Sequence, residues 1–179
     1  MSILSRDKRV RRITSDALLI ALAMMLSYLE ILLPLNLFLP IPGFRLGLSN
    51  VVILAVFCLL SKLDAAIVSA VRIILMGILF GSVTSLWFSA MGGAFSFCML
   101  LLLSVIGKKC SFIGVSVLSA AAHNCGQIVA ASLLFGSEII LSYLPVLLIA
   151  SVFYGGIVGC LLNLLVPRIS NLLKRGQIA

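Results

Sequence analysis

Long apolar runs separated by short polar breaks dominate the sequence. Most runs approach the roughly 20 residues that a helix needs to cross a bilayer. The pattern predicts an all-α membrane bundle of six transmembrane helices, the sixth ending at Pro167 because proline lacks a backbone N–H. The second and third runs are short, which predicts helices that stand steeply or are shielded by neighbours. The predicted helices cover residues 14–33, 46–61, 65–80, 86–106, 112–135 and 139–166.

A proline-rich segment, residues 34–45, separates the first two predicted helices. Pro34, Pro40 and Pro42 remove backbone donors and block a regular helix. The segment is nevertheless too apolar for an ordinary solvated loop. We expect it to fold over the membrane face or to dip into the protein.

Composition excludes a soluble protein. Of the 179 residues, 63% are hydrophobic and 10% are charged, whereas soluble domains have about 45–50% apolar and about 25% charged residues. A chain of this length has too little interior to hide that excess, so lipid must cover the rest. A soluble enzyme, a nucleic-acid-binding module and a disordered tail are therefore excluded. The apolar run after the basic start reaches Pro34 without a small-residue cleavage site, so we expect the first helix to stay attached.

The basic residues predict the orientation. The net charge is +8, and an inward-facing N-terminus with six crossings puts eleven of the 13 Lys and Arg residues in cytoplasmic segments. We expect one domain with cytoplasmic termini in a bacterial cytoplasmic membrane. Residues 1–13 and 167–179 would be basic tails, and residues 14–166 the bundle.

The sequence lacks the usual motifs of catalysis. Its five cysteines show no CxxC spacing, so they indicate neither a disulfide framework nor a metal cluster. No two of the five acidic residues lie within five positions of each other, which excludes an Asp-rich motif that binds diphosphate through magnesium. There is also no phosphate-binding glycine loop with a lysine. We expect no metal, no cofactor and no nucleic acid, and no catalysis by this chain alone.

Polar side chains inside the predicted helices are the candidate functional residues, because such groups are costly in hydrocarbon. Arg72 lies eight residues beyond Asp64, roughly 12 Å along its helix. His123 and Gln127 share one helix face, and Asn124 flanks it. For Arg72, a structural pair or a snorkelled side chain competes with a role in ligand binding. For the other three, hydrogen bonds between helices compete with ligand contact.

A second polar group is predicted near the outer surface. Glu30 ends the first apolar run, and Arg45 and Asn50 flank the start of the second. Glu30 and Arg45 are candidates for an ion pair that closes an outer mouth, or are ordinary interfacial charges. Small residues four apart, such as Ala17 and Ala21, allow close helix approach within the protein or against a partner.

Four segments together resemble the Gx transporter family, whose members are often labelled heptaprenyl diphosphate synthase component I. The resemblance covers about residues 14–166, with Arg45 where a lysine is common. It implies a relationship to the substrate-binding S components of energy-coupling factor vitamin transporters, which are six-helix proteins working with a membrane coupling subunit and two ATPases. The segments are 42–50 (PGFRLGLSN), 72–81 with 89–93, 123–127 (HNCGQ), and 144–145 with 155–156.

The resemblance assigns roles to several residues. Ala17 and Ala21 would dock on the coupling subunit, and residues 34–45 would form a gating loop. The leading hypothesis is a subunit that binds and takes up a small organic molecule, such as a vitamin, flavin or isoprenoid-like compound. The residues expected to line or support its pocket are Arg45, Asn50, Arg72, His123, Asn124 and Gln127.

Two other hypotheses stay open. In the first, the chain is a membrane component that assists a soluble prenyl transferase subunit, either by holding that subunit at the bilayer or by handling its lipid product. Alternatively, every buried polar residue serves only to join helices, and the chain binds membrane lipid and no specific ligand.

Overall fold

The computed structural model describes residues 3–32, 47–106, 111–136 and 138–176. Within these ranges the regular structure is entirely helical, which confirms the predicted all-α membrane bundle. A short 3-10 helix, Glu138–Tyr143, precedes the last helix. The six α-helices are α1 (Ile3–Leu32), α2 (Asn50–Leu59), α3 (Lys62–Phe80), α4 (Val83–Ile106), α5 (Phe112–Phe135) and α6 (Leu144–Gly176).

Five of these helices are long and apolar enough to cross a membrane, and α2 is the exception. Its ten residues span about 15 Å, roughly half of the hydrocarbon core. Half of α2 is buried, at Asn50, Val52, Ile53, Leu54 and Val56. The expectation that a short second helix is shielded by its neighbours is therefore confirmed.

Two helices extend beyond their apolar runs. α1 begins at Ile3 because the Lys- and Arg-rich start is a good helix former. The prediction that Pro167 ends the last helix is wrong, since α6 continues through it to Gly176. A proline inside a helix removes one backbone hydrogen bond and commonly produces a kink, and the residues on both sides remain helical here.

Side-chain caps mark the boundaries at one end of the bundle. Ser61 Oγ accepts a hydrogen bond from the Asp64 amide at 3.1 Å at the start of α3. Ser111 Oγ caps α5 in the same way through the Gly114 amide at 3.1 Å. Each bond satisfies a backbone donor that the first helical turn leaves unpaired. Capping therefore sets where the two helices begin.

Polar contacts join three elements at this end of the molecule. The Arg12 Nε donates to Asp64 Oδ1 at 2.8 Å, linking α1 to the start of α3. Lys62 Nζ donates to Ser104 Oγ at 2.8 Å, linking α3 to the end of α4. We call this end, where Arg12, Lys62 and Arg168 are exposed, the basic end.

Helix α5 lies between α4 and α6, while α2 contacts α1, α3 and α6. Glycines allow the closest approaches. A Cβ at Gly155 would lie 2.7 Å from the Cα of Val117, and one at Gly159 would collide with the backbone of Ile113. The pair at positions 155 and 159 therefore packs α6 onto α5 within the protein.

Candidate ligand-binding site

The buried stripe of α1 supplies two polar groups to the interior. Ala23, Ser27 and Glu30 are each at most 2% exposed, and their spacing of four and three residues places them on one helix face. Glu30 lies 18 residues beyond Arg12, about 27 Å along the helix. Ser27 and Glu30 are therefore near the end of the bundle opposite the basic end.

Arg72 on α3 points into the bundle towards this stripe. It is 3% exposed, and its Nη1 donates a hydrogen bond to Ser27 Oγ at 3.1 Å. A buried guanidinium is costly unless it is hydrogen-bonded. Arg72 thus joins α1 to α3 in the interior, as the structural alternative expects, while keeping a cation beside the candidate site.

Glu30 connects α1 to the start of α2. Its Oε1 accepts a hydrogen bond from the Gly47 amide at 2.5 Å. Gly47 has a φ of +84°, which favours glycine because a side chain is strained in this region. The proposed ion-pair partner, Arg45, lies outside the described residues, as does the expected gating loop at residues 34–45.

Gly47 also lies close to both Asn50 and His123. A Cβ on Gly47 would lie 2.8 Å from Asn50 Nδ2 and 3.5 Å from His123 Cδ2. On the opposite side, a Cβ on Gly92 would lie 2.7 Å from His123 Cε1. The imidazole therefore fills the space that the two missing side chains leave between α2 and α4.

Asn124 and Gln127 follow His123 on α5 and have different environments. The Asn124 amide nitrogen donates to the Leu147 carbonyl at 3.0 Å and to Ser151 Oγ at 2.8 Å. This amide therefore binds α6, as the helix-joining alternative predicts. Gln127 is 1% exposed, and neither atom of its amide has a hydrogen-bond partner among the described residues.

Sequence analysis missed several buried hydroxyl groups. The hydroxyls of Ser49, Ser89 and Tyr154 have no hydrogen-bond partner within the described part of the chain. Single hydroxyls are common in membrane helices, so the sequence offers no signal that separates these three from the others. Tyr154 adjoins Gly47 and Asn50 at a cavity of about 10 Å³ between α2, α5 and α6, which is about the space that one water molecule needs.

The predicted docking residues lie elsewhere. Ala17 and Ala21 are exposed, and Ala21 precedes the buried Ala23 by two residues, about 200° around the helix. Ala17 and Ala21 therefore face away from the bundle and are accessible to a partner protein.

The candidate site is taken as the polar side chains of Asn50, Arg72, His123, Asn124 and Gln127 with those of Ser27 and Glu30. Gly47 adjoins Glu30, Asn50 and His123, and Arg72 binds Ser27. Asn124 binds α6 instead, and the Gln127 side chain makes no hydrogen bond to the described residues. The site offers one carboxylate, one guanidinium, one imidazole and several amide and hydroxyl groups. The described residues hold no group of three His, Cys, Asp or Glu side chains that would bind a metal. Such a set suits ligand binding through hydrogen bonds.

Comparison with known proteins assigns the sequence to a family. A family model described as heptaprenyl diphosphate synthase component I matches residues 19–165, most of the chain. The chain belongs to the heptaprenyl diphosphate synthase component I family. The family match runs from α1 into α6 and includes every residue of the candidate site, so the resemblance seen in the sequence motifs is confirmed. No curated protein and no solved structure matches this family member.

Proposed function

We propose that this family member binds a small organic molecule within the cytoplasmic membrane, as the substrate-binding subunit of an uptake system similar to S components. Gln127 carries the proposal. Its amide is 1% exposed, and neither amide atom has a partner among the described residues.

The unpartnered amide has an energetic cost. A buried donor or acceptor without a partner costs about 1–3 kcal/mol, and Gln127 has both kinds of atom. A ligand that carries an acceptor beside a donor would satisfy both at once. The interior holds one cation, Arg72, and one anion, Glu30. It therefore does not strongly favour a positively or a negatively charged ligand.

Binding an organic molecule requires movement, because the cavity beside Asn50 is small and Gln127 is not among the described residues that line it. That cavity is about 10 Å³, so a ligand larger than water requires α2 to move away from α5 and α6. Helix α2 is suited to such a movement because it is short. We propose that its connection to Glu30 through Gly47 is broken and remade as the ligand enters.

The exposed position of Ala17 and Ala21 supports docking on a coupling subunit. The sequence contains no phosphate-binding glycine loop with a lysine, so ATP hydrolysis would come from separate ATPases. Both termini would face the cytoplasm, where those ATPases act.

A Gln127→Leu variant tests this function. Leucine has a similar size and removes both unpartnered atoms, so we expect the protein to stay as stable while losing its small molecule. The measurement is mass spectrometry of organic molecules that copurify with the full chain, compared with cellular uptake. Asn163→Leu is the matched control, because Asn163 is an exposed amide on α6. Equal amounts of bound molecule in both variants would contradict the proposal.

Family membership favours a second function, a membrane component that assists prenyl diphosphate synthesis. The sequence contains no Asp-rich motif that binds diphosphate through magnesium, so a soluble prenyl transferase subunit would carry the reaction. This chain would hold that subunit at the bilayer or receive its product. Reconstitution of the soluble subunit with and without this chain tests the idea, and full prenyl transfer by the soluble subunit alone would contradict it.

A further inference from the structure

An apolar groove of about 400 Å³ runs between α1, α2 and α6. Helix α2 forms its floor, and the longer helices α1 and α6 form its walls. Among the described residues that line it, Ser15 is the one polar residue. The apolar lining comprises Leu18, Leu19, Leu22, Val51, Val52, Ala55, Val56, Leu59, Leu60, Leu162, Leu165, Val166 and Ile169.

One end of the groove is the basic end of the molecule. Ser15, Leu60 and Ile169 lie there, close in sequence to Arg12, Lys62 and Arg168. Both wall helices continue past this end, because α1 begins at Ile3 and α6 ends at Gly176. Residues 3–14 and 167–176 together carry eight Lys or Arg residues and one acidic residue, Asp7.

The arrangement combines an apolar channel with a cationic end. The wall that α1 contributes, from Ser15 to Leu22, is about 10 Å long. It is shorter than the hydrocarbon core, so it would cover only the part of a lipid's hydrocarbon chain that is nearest the lipid headgroup. A ligand that matches both regions has one long hydrocarbon chain that ends in a multiply charged anion. A diphosphate carries more negative charge than the single phosphodiester of a common phospholipid, and therefore gains more from clustered cations.

We propose that this groove holds the isoprenoid chain of a prenyl diphosphate, with the diphosphate at the basic end of the groove. The inference rests on the second proposed function and makes this chain the acceptor of the lipid product. The proposal concerns binding alone.

Binding of heptaprenyl diphosphate to the full chain in phosphatidylcholine nanodiscs tests the site. Ala55→Phe places a ring on the groove floor, and Leu165→Trp narrows the groove from a side chain that is 44% exposed. We expect each to weaken binding at least tenfold. Ala94→Phe is the matched control, because Ala94 lines a different apolar groove, between α3 and α4. Equal losses in the control and in both groove variants would overturn the assignment.

A second set of measurements tests the charged end. Replacing Arg168, Lys174 and Arg175 with glutamine should weaken binding of heptaprenyl diphosphate at least tenfold while leaving heptaprenol binding within twofold. Excess phosphatidylglycerol should not displace the diphosphate. Displacement by phosphatidylglycerol, or an equal loss for the diphosphate and the alcohol, would overturn the proposal in favour of a general lipid site.

Measuring prenyl transfer by the soluble subunit distinguishes a failure of the groove proposal from a failure of the second proposed function, on which the groove proposal rests. Stimulation that persists in Ala55→Phe and Leu165→Trp would refute the groove and leave the second function standing. Failure of the unchanged chain both to stimulate transfer and to bind the diphosphate would refute both. Stimulation that falls only in the groove variants would support both.

Discussion

Glycine positions decide how the candidate site is built at the scale of single residues. The motif positions around 123–127 already indicated polar side chains in the membrane, since amide and imidazole groups are rare there. Nothing in the sequence, however, distinguishes Gly92, which makes room for the imidazole of His123, from Gly156, which has no neighbour within 4 Å of its Cβ position. That difference depends on how closely α4 approaches α5.

A Gly92→Ala substitution should lower the stability of the protein. The new Cβ would lie 2.7 Å from His123 Cε1, and overpacking of this kind costs about 1–3 kcal/mol. The measurement is the Tm of the purified chain in detergent. Adding His123→Ala should restore much of the loss, because the smaller side chain removes the collision. A double variant as unstable as the sum of the two single ones would contradict this contact.

Contacts between helices explain which polar residues are structural. Asn124 binds the α6 backbone at Leu147, and Arg72 binds Ser27, a residue 45 positions away. The sequence placed both residues inside the membrane but left a structural and a functional role open for each. Only the neighbouring helix decides between them. It favours a structural role for the amide nitrogen of Asn124, whereas both amide atoms of Gln127 lack hydrogen-bond partners within the described chain.

A Gly155→Ala substitution should weaken the α5–α6 contact. Its Cβ would lie 2.7 Å from the backbone of Val117, which cannot rotate away as a side chain can. We expect destabilisation of about 1–3 kcal/mol, measured as a lower Tm. Gly156→Ala is the neighbouring control and should leave stability unchanged or raise it slightly, since alanine is the better helix former. Similar losses at both positions would argue against close packing at residue 155.

The whole molecule has a basic end and an opposite end where Glu30 approaches α2. Ser15 and Ile169 border the same end of one groove, so the start of α1 and the end of α6 lie on the same side. The excess of Lys and Arg there predicts that this side is cytoplasmic.

Reporter fusions test this orientation. Green fluorescent protein fused after Ala179 should fluoresce, because it folds in the cytoplasm. Alkaline phosphatase inserted after Gly136, at the end of α5, should be active, because that end would face outward. The reverse pattern of activities would contradict the orientation while leaving the helical bundle unchanged.

The sequence alone determined that this is a membrane protein, that six α-helices form in the part of the chain that the structure describes, and which end is basic. These properties follow from the length of apolar runs and from local charge, which depend on neighbours along the chain. Tertiary structure decided that Pro167 lies within α6, that Asn50 and His123 both adjoin Gly47 and that α2 forms the floor of a groove. Those features depend on the packing of helices distant in sequence, and packing is governed by shape and close contact, which hydropathy does not encode.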